Sequence, residues 1–120
     1  MNRWVLLKHT ATVPSLFEDH FDFLVENGTY CLTWKLYEIP KLNGSLVSIK
    51  KQSNHRLFWL TTEQQELTRG RGYVSRVDYG KYLIFENKIL DENFSLQLIG
   101  NSIRGIFKKQ NDFCQLYENI

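Results

Sequence analysis

Three histidines, His9, His20 and His55, and one aspartate, Asp22, are the residues of this chain whose types and spacing suit chemistry. His20 and Asp22 stand two apart in His20-Phe21-Asp22-Phe23-Leu24-Val25-Glu26, where polar and apolar residues alternate with period two as in a half-buried strand. Side chains two apart on a strand project side by side, with Cα atoms roughly 6–7 Å apart at about 3.3 Å of rise per residue. An imidazole and a carboxylate so placed can converge on one ion. Together with His9 they form a set suited to a divalent transition ion such as Mn²⁺ or Zn²⁺, with positions left for water or substrate. His55 could add a fourth donor or a proton-transferring group beside a bound phosphate. The competing reading is plainer: a solvated strand face, and histidines that are structural or exposed. The spacing is not that of a zinc finger.

The elements that must position these residues are short strands. Trp4 to Lys8 is a first apolar run ending at His9. Thr10 to Asp19, which holds Pro14, reads as a loop with at most one helical turn capped near Thr12 or Ser15. The His20 to Glu26 strand ends at Asn27-Gly28, a strong hairpin signal, and Thr29 to Tyr37 is its antiparallel partner. Phe21, Phe23 and Val25 are expected on the core face. Pro40 to Gly44 reads as a turn, Ser45 to Lys50 as a short strand, and Gln52-Ser53-Asn54 as a loop delivering His55. Arg56 to Thr61 resembles another strand, and Thr62 to Arg69 a helical turn or exposed loop. Gly70-Arg71-Gly72 leads into a strand over Tyr73 to Asp78, then a tight turn at Tyr79-Gly80 and a strand over Lys81 to Glu86. Phe94 to Ile99, Ile103 to Lys109 and Phe113 to Tyr117 complete the set. About eight or nine strands without a long helix predict an all-β fold, a small antiparallel barrel with at most short helical turns, since closure removes exposed edges.

With 120 residues the chain is long enough for one domain with a core of its own, spanning 1–120. Apolar residues at 42% argue against disorder, and a formal charge of +2 permits nucleic-acid binding without arguing for it. Cys31 and Cys114 are expected as two buried free thiols, which points to a cytoplasmic home. Charge interrupts the N-terminal apolar run after four residues, and no run approaches the ~18–20 needed to span a bilayer, so neither a secretory signal nor a membrane is expected. The aromatics Trp34, Tyr37, Phe58, Trp59, Tyr73 and Tyr82 belong either to the core or to a cleft on which bases stack.

Read together, several stretches resemble the 3′-phosphoesterase domain of bacterial DNA ligase D, and more closely its short stand-alone relatives. They are Val5-Leu6-Leu7-Lys8-His9, the His20 to Glu26 strand, Thr33-Trp34, Asn54-His55-Arg56-Leu57, Gly70 through Tyr82, and Leu96 through Phe107, in family order along nearly the whole chain. The most specific parts are the His-aromatic-Asp-Phe-x-x-Glu core and the Arg-x-Asp-x-Gly-x-Tyr segment, and all three histidines fall on motif positions. The resemblance implies a small β-barrel holding Mn²⁺, and an enzyme that trims phosphate or a ribonucleotide from the 3′ end of DNA in repair, with a DNA ligase or polymerase as partner. By position, His9, His20 and Asp22 would be metal ligands and His55 the phosphate-contacting acid/base group.

The chain departs from that pattern in three places. Ten residues, Thr10 to Asp19, separate the first two histidines, more than the family usually has. Leu24 stands where the enzyme carries a phosphate-gripping arginine, and Trp59 where it has tyrosine. Loss of a bidentate cation is serious for catalysis. Arg56, Arg71 and Arg76 are the replacements on offer, with Arg76 on a predicted strand taken as the catalytic one; otherwise they are solvated surface residues. Two functions follow: a metal-dependent phosphoesterase, or a non-catalytic descendant that binds nucleic acid or a protein.

Overall fold

The computed structural model describes residues 2–11, 18–86 and 92–119. The expected turn near Thr12 or Ser15 lies outside these residues. The strands are β1 (Arg3–Thr10), β2 (His20–Asn27), β3 (Tyr30–Leu36), β4 (Val47–His55), β5 (Gln64–Glu66), β6 (Tyr73–Glu86), β7 (Asn93–Gly100), β8 (Arg104–Gln110) and β9 (Phe113–Tyr117). All their ladders are antiparallel. They run in the order β1-β2-β3-β4-β9-β8-β7-β6-β5, and pairing of β1 with β6 closes eight of them into a ring, with β5 added on the edge of β6. The expected all-β barrel is present.

Alternation along the strands fills the ring. Trp4, Leu6, Phe23, Val25, Trp34, Leu36, Leu96, Leu98 and Phe107 point into one buried cluster, against which Phe21 packs partly buried. The void left among Trp4, Phe23, Phe107 and their neighbours is only about 10 Å³, so the interior is a core and not a ligand chamber. Cys31 and Cys114 are free and buried, and burial pushes their thiols up to about 11 and about 12. Among the described residues no helix is long and apolar enough to cross a membrane.

Several local readings change. The β2–β3 loop is Gly28-Thr29, with Asn27 paired to Tyr30 and positive φ at Gly28 (69°), the requirement of a type II′ turn. β4 runs on through Gln52-Ser53-Asn54 to His55, whose backbone pairs with Cys31 across a bulge, so His55 sits at a strand end and not in a loop. Arg56 to Thr61 is not a strand: Leu57–Thr61 is a 3-10 turn that drives Leu60 into a second apolar cluster. A short apolar run fits either element, and the burial of Leu60 decides. Thr62 to Arg69 holds β5 and the start of a second 3-10 turn (Thr68–Gly70).

The expected turn at Tyr79-Gly80 is absent, because β6 is continuous for 14 residues. Gly80 is there for close approach: a Cβ on it would lie 2.0 Å from the Ile99 carbonyl oxygen on β7. Asp78 is buried and accepts hydrogen bonds from the backbone N–H of Asn101, Ser102 and Ile103 (3.2, 2.9 and 2.6 Å). The Tyr82 hydroxyl donates to the Glu26 carbonyl (2.7 Å). The Asp78-x-Gly80-x-Tyr82 pattern therefore closes the barrel rather than serving chemistry.

Candidate metal centre

β1 and β2 bring the first three residues together. In their ladder His9 lies opposite His20, and Leu7 opposite Asp22. Trp4 and Leu6 of β1 and Phe23 and Val25 of β2 enter the barrel core, so Val5, Leu7 and His9 share the outer face with His20, Asp22 and Leu24. That face is not solvated as a plain strand face would be. Val5, Leu7, Leu24, Cys31, Leu60 and Val74 form the second cluster on it, with Leu57, Trp59 and Leu67 packed against them.

One ligand atom from each of His9, His20 and Asp22 can be chosen so that all three lie within 4.8 Å of one another. His20 Nε2 is 3.3 Å from Asp22 Oδ1, and His9 Nδ1 is 3.8 Å from Asp22 Oδ2. The imidazole rings meet edge to face, their centroids 4.8 Å apart. In tetrahedral coordination two ligands each about 2.1 Å from one ion are about 3.4 Å apart, so an ion would draw the three atoms closer than the 4.8 Å within which they lie.

The opposite nitrogen of each ring is anchored. His9 Nε2 is 2.9 Å from the Arg71 carbonyl oxygen, and His20 Nδ1 is 3.0 Å from that of Glu18. A carbonyl only accepts, so those nitrogens carry protons, and the nitrogens turned to Asp22 are the ones that an ion would engage in place of a proton. Metal-ligating histidines are held in this way, by an outer carbonyl that fixes tautomer and ring orientation. Positive φ at Arg69, Gly70 and Gly72 (59°, 66° and 105°) folds the loop that carries the Arg71 carbonyl. Burial opposes a charge on His20, but hydrogen bonding to Asp22, the Glu18 carbonyl and the Asp22 charge outweigh it and raise its pKa above the ordinary value.

A pocket of about 60 Å³ opens beside the trio, lined by Leu7, His9, Asp22, His55, Trp59 and Val74 among others. It has room for an ion and a few water-sized ligands. His55 thus joins His9 and Asp22 from across the outer face. Its Nδ1 lies 3.0 Å from both the Ser53 carbonyl and the hydroxyl of Thr33, which in turn donates to the Cys31 carbonyl (3.4 Å). Nδ1 is therefore the protonated nitrogen, and Nε2 is the one available to a ligand.

Arg76 is not brought to this pocket. It ion-pairs with Glu63 (3.3 Å) and stacks its guanidinium 4.0 Å from the ring centroid of Tyr79. The Arg71 side chain bonds Thr68, and that of Arg56 lies over Phe58. Leu24, with no exposed surface, belongs to the apolar floor.

Sequence reasoning missed Lys35. It pairs directly opposite Asp22 on β3, on the same face, and its charge opposes protonation of His20. The hairpin register, once anchored at Asn27 and Tyr30, would have placed it there. The role of the Thr33 hydroxyl was also hidden, and the Arg71 and Glu18 carbonyls leave no trace in a sequence. No protein-family model matches the chain, and no curated protein matches it.

Proposed function

We propose that this chain is a divalent-metal-dependent phosphoesterase acting on phosphate at the 3′ end of a nucleic acid. The observation that carries the reading is the pair of anchored imidazoles, each turning its second nitrogen to Asp22, with His55 on the same pocket. His9, His20 and Asp22 would hold the ion, and the donor set of two imidazoles and a carboxylate suits Mn²⁺ or Zn²⁺. When bound, the ion supplies positive charge against the phosphoryl oxygens. The chain's own residues do the rest. Lys35, opposite Asp22 with its ammonium over the Tyr37 ring, would add positive charge that acts on the site from its edge. His55 in its charged form holds a proton at Nε2 for the leaving oxygen, while Ser53 and Thr33 keep Nδ1–H in place. The apolar floor under Leu24, Leu60 and Val74 lowers the local dielectric and strengthens these interactions. Two buried thiols fit a cytoplasmic setting, and a DNA ligase or polymerase is the partner that the resemblance suggests.

A second reading has its own support. Leu24 occupies the place of the family's gripping arginine, and Arg76 is held by Glu63 outside the pocket, which favours a metal-bearing module that binds 3′ ends without cleaving them. Incubating the protein and Mn²⁺ with an oligonucleotide ending in a 3′-phosphate separates the two. Release of phosphate by the wild type, and its loss in His55→Ala, is the expected result. Binding of the oligonucleotide without turnover would leave the module.

A further inference from the structure

The 3-10 turn that supplies Trp59 to the metal pocket also presents Phe58 to solvent. Leu60 anchors this turn in the second cluster, whereas Phe58 stays 53% exposed. Its ring meets Trp59 edge to face at 5.1 Å, and Arg56 lies over it with the guanidinium carbon 5.8 Å from the centroid. Beside Phe58 runs an open groove bordered by Thr61, Glu63, Gln64 and Arg76. Its walls combine an aromatic face, a guanidinium and a side-chain amide. The groove and the metal pocket are neighbours: Phe58 of one contacts Trp59 of the other, and Gln65 of one pairs across β5–β6 with Val74 of the other.

We propose that the groove between Phe58 and Arg76 is a nucleobase subsite, which takes the base attached to the phosphate ester lying in the metal pocket. The proposal rests on the phosphoesterase reading for the ester, but the base-binding chemistry stands on its own residues. A base has a π-face that stacks on Phe58 whatever its identity. Its polar edge meets the Gln64 amide and the Arg76 guanidinium, both of which already make hydrogen bonds with neighbours and are held in place by them.

The test is binding by calorimetry to metal-free protein, comparing adenosine 3′-monophosphate with glycerol 2-phosphate, a base-less ester. Base–aromatic stacking predicts that the wild type prefers the nucleotide by roughly tenfold or more. Phe58→Leu, which keeps an apolar side chain but lacks a π-face, should bring the ratio near one, and Phe58→Trp should keep it. Equal affinity for the two esters in the wild type, or a preference that survives in Phe58→Leu, would overturn the subsite. Because the ratio is read without metal, absence of Mn²⁺ binding or hydrolysis would count against the phosphoesterase reading and leave the subsite to stand or fall on the ratio. A trinucleotide with a 3′-phosphate that binds more tightly than the mononucleotide assigns the base to a strand end; equal affinity assigns it to a free nucleotide.

Discussion

Placing at position 24 the arginine that the resemblance suggests should break this protein rather than improve it. Leu24 has no exposed surface and packs with Val5, Leu7, Cys31, Leu60 and Val74. Its neighbours across the ladders are Val5 on β1 and Thr33 on β3. Leu24→Arg forfeits the burial of a leucine, about 1.5–3 kcal/mol. It adds overpacking of about 1–3 kcal/mol in a filled site. The guanidinium would also lose water, and of the same-face carboxylates along β2, Glu26 is already paired with Arg3 (2.9 Å) and Asp22 faces the histidines. A loss of about 4 kcal/mol or more follows, a large part of the ~5–15 kcal/mol available to a domain. Leu24→Met, which nearly conserves volume, should cost less than about 1.5 kcal/mol. Urea denaturation followed by tryptophan fluorescence reads both. A Leu24→Arg protein that unfolds at the wild-type midpoint would refute the view that this face is a rigid apolar floor.

Three further outcomes are expected. Arg3 hydrogen-bonds Glu26 and, against the opposing effect of burial, holds its carboxyl below its ordinary value of 4.5. The stability from this pair is therefore complete above about pH 4.5 and disappears as pH falls through the lower folded value; with Arg3 partly exposed it is worth about 1 kcal/mol, and Glu26→Gln should flatten the stability profile below pH 4.5 but not its shape near neutrality. Gly80→Ala should be among the most damaging single-methyl changes, because the new Cβ meets the β7 backbone at 2.0 Å; a cost above about 3 kcal/mol is expected from forced backbone displacement, and a variant melting within a degree of wild type would contradict the register. Thr33→Val removes one of two acceptors at His55 Nδ1 and nothing of the side chain's bulk; stability should change by about 1 kcal/mol or less, while phosphatase activity falls and is recovered in Thr33→Ser.

Much of the barrel was legible because period-two alternation is a local property. Phe23 and Val25 on the core face, the antiparallel β2–β3 hairpin, and the β7, β8 and β9 segments all follow from neighbouring residues. The misreadings share a cause: long-range packing overrode a local signal. Gly80 looks like a turn until β7 passes against it, and Leu57–Thr61 looks like a strand until Leu60 is claimed by the outer cluster. In the site, His9, His20, Asp22 and His55 were visible as residue types and came together. Arg76 was chosen for its charge and strand position, but Glu63 and Tyr79 hold it elsewhere. The carbonyls of Arg71 and Glu18 could not be read at all, since backbone groups carry no residue identity.

The most direct test is a calorimetric titration of metal-free protein with Mn²⁺, repeated on His20→Ala. The wild type should bind at one site. His20→Ala should remain folded, having lost the hydrogen bond to the Glu18 carbonyl and the contact with Asp22, but should show no binding and no metal-induced rise in melting temperature. With ion at about 100 times Kd, that rise corresponds to about 2.7 kcal/mol in the wild type. Binding that persists undiminished in His20→Ala, or a wild type that takes up neither Mn²⁺ nor Zn²⁺, would contradict the metal centre.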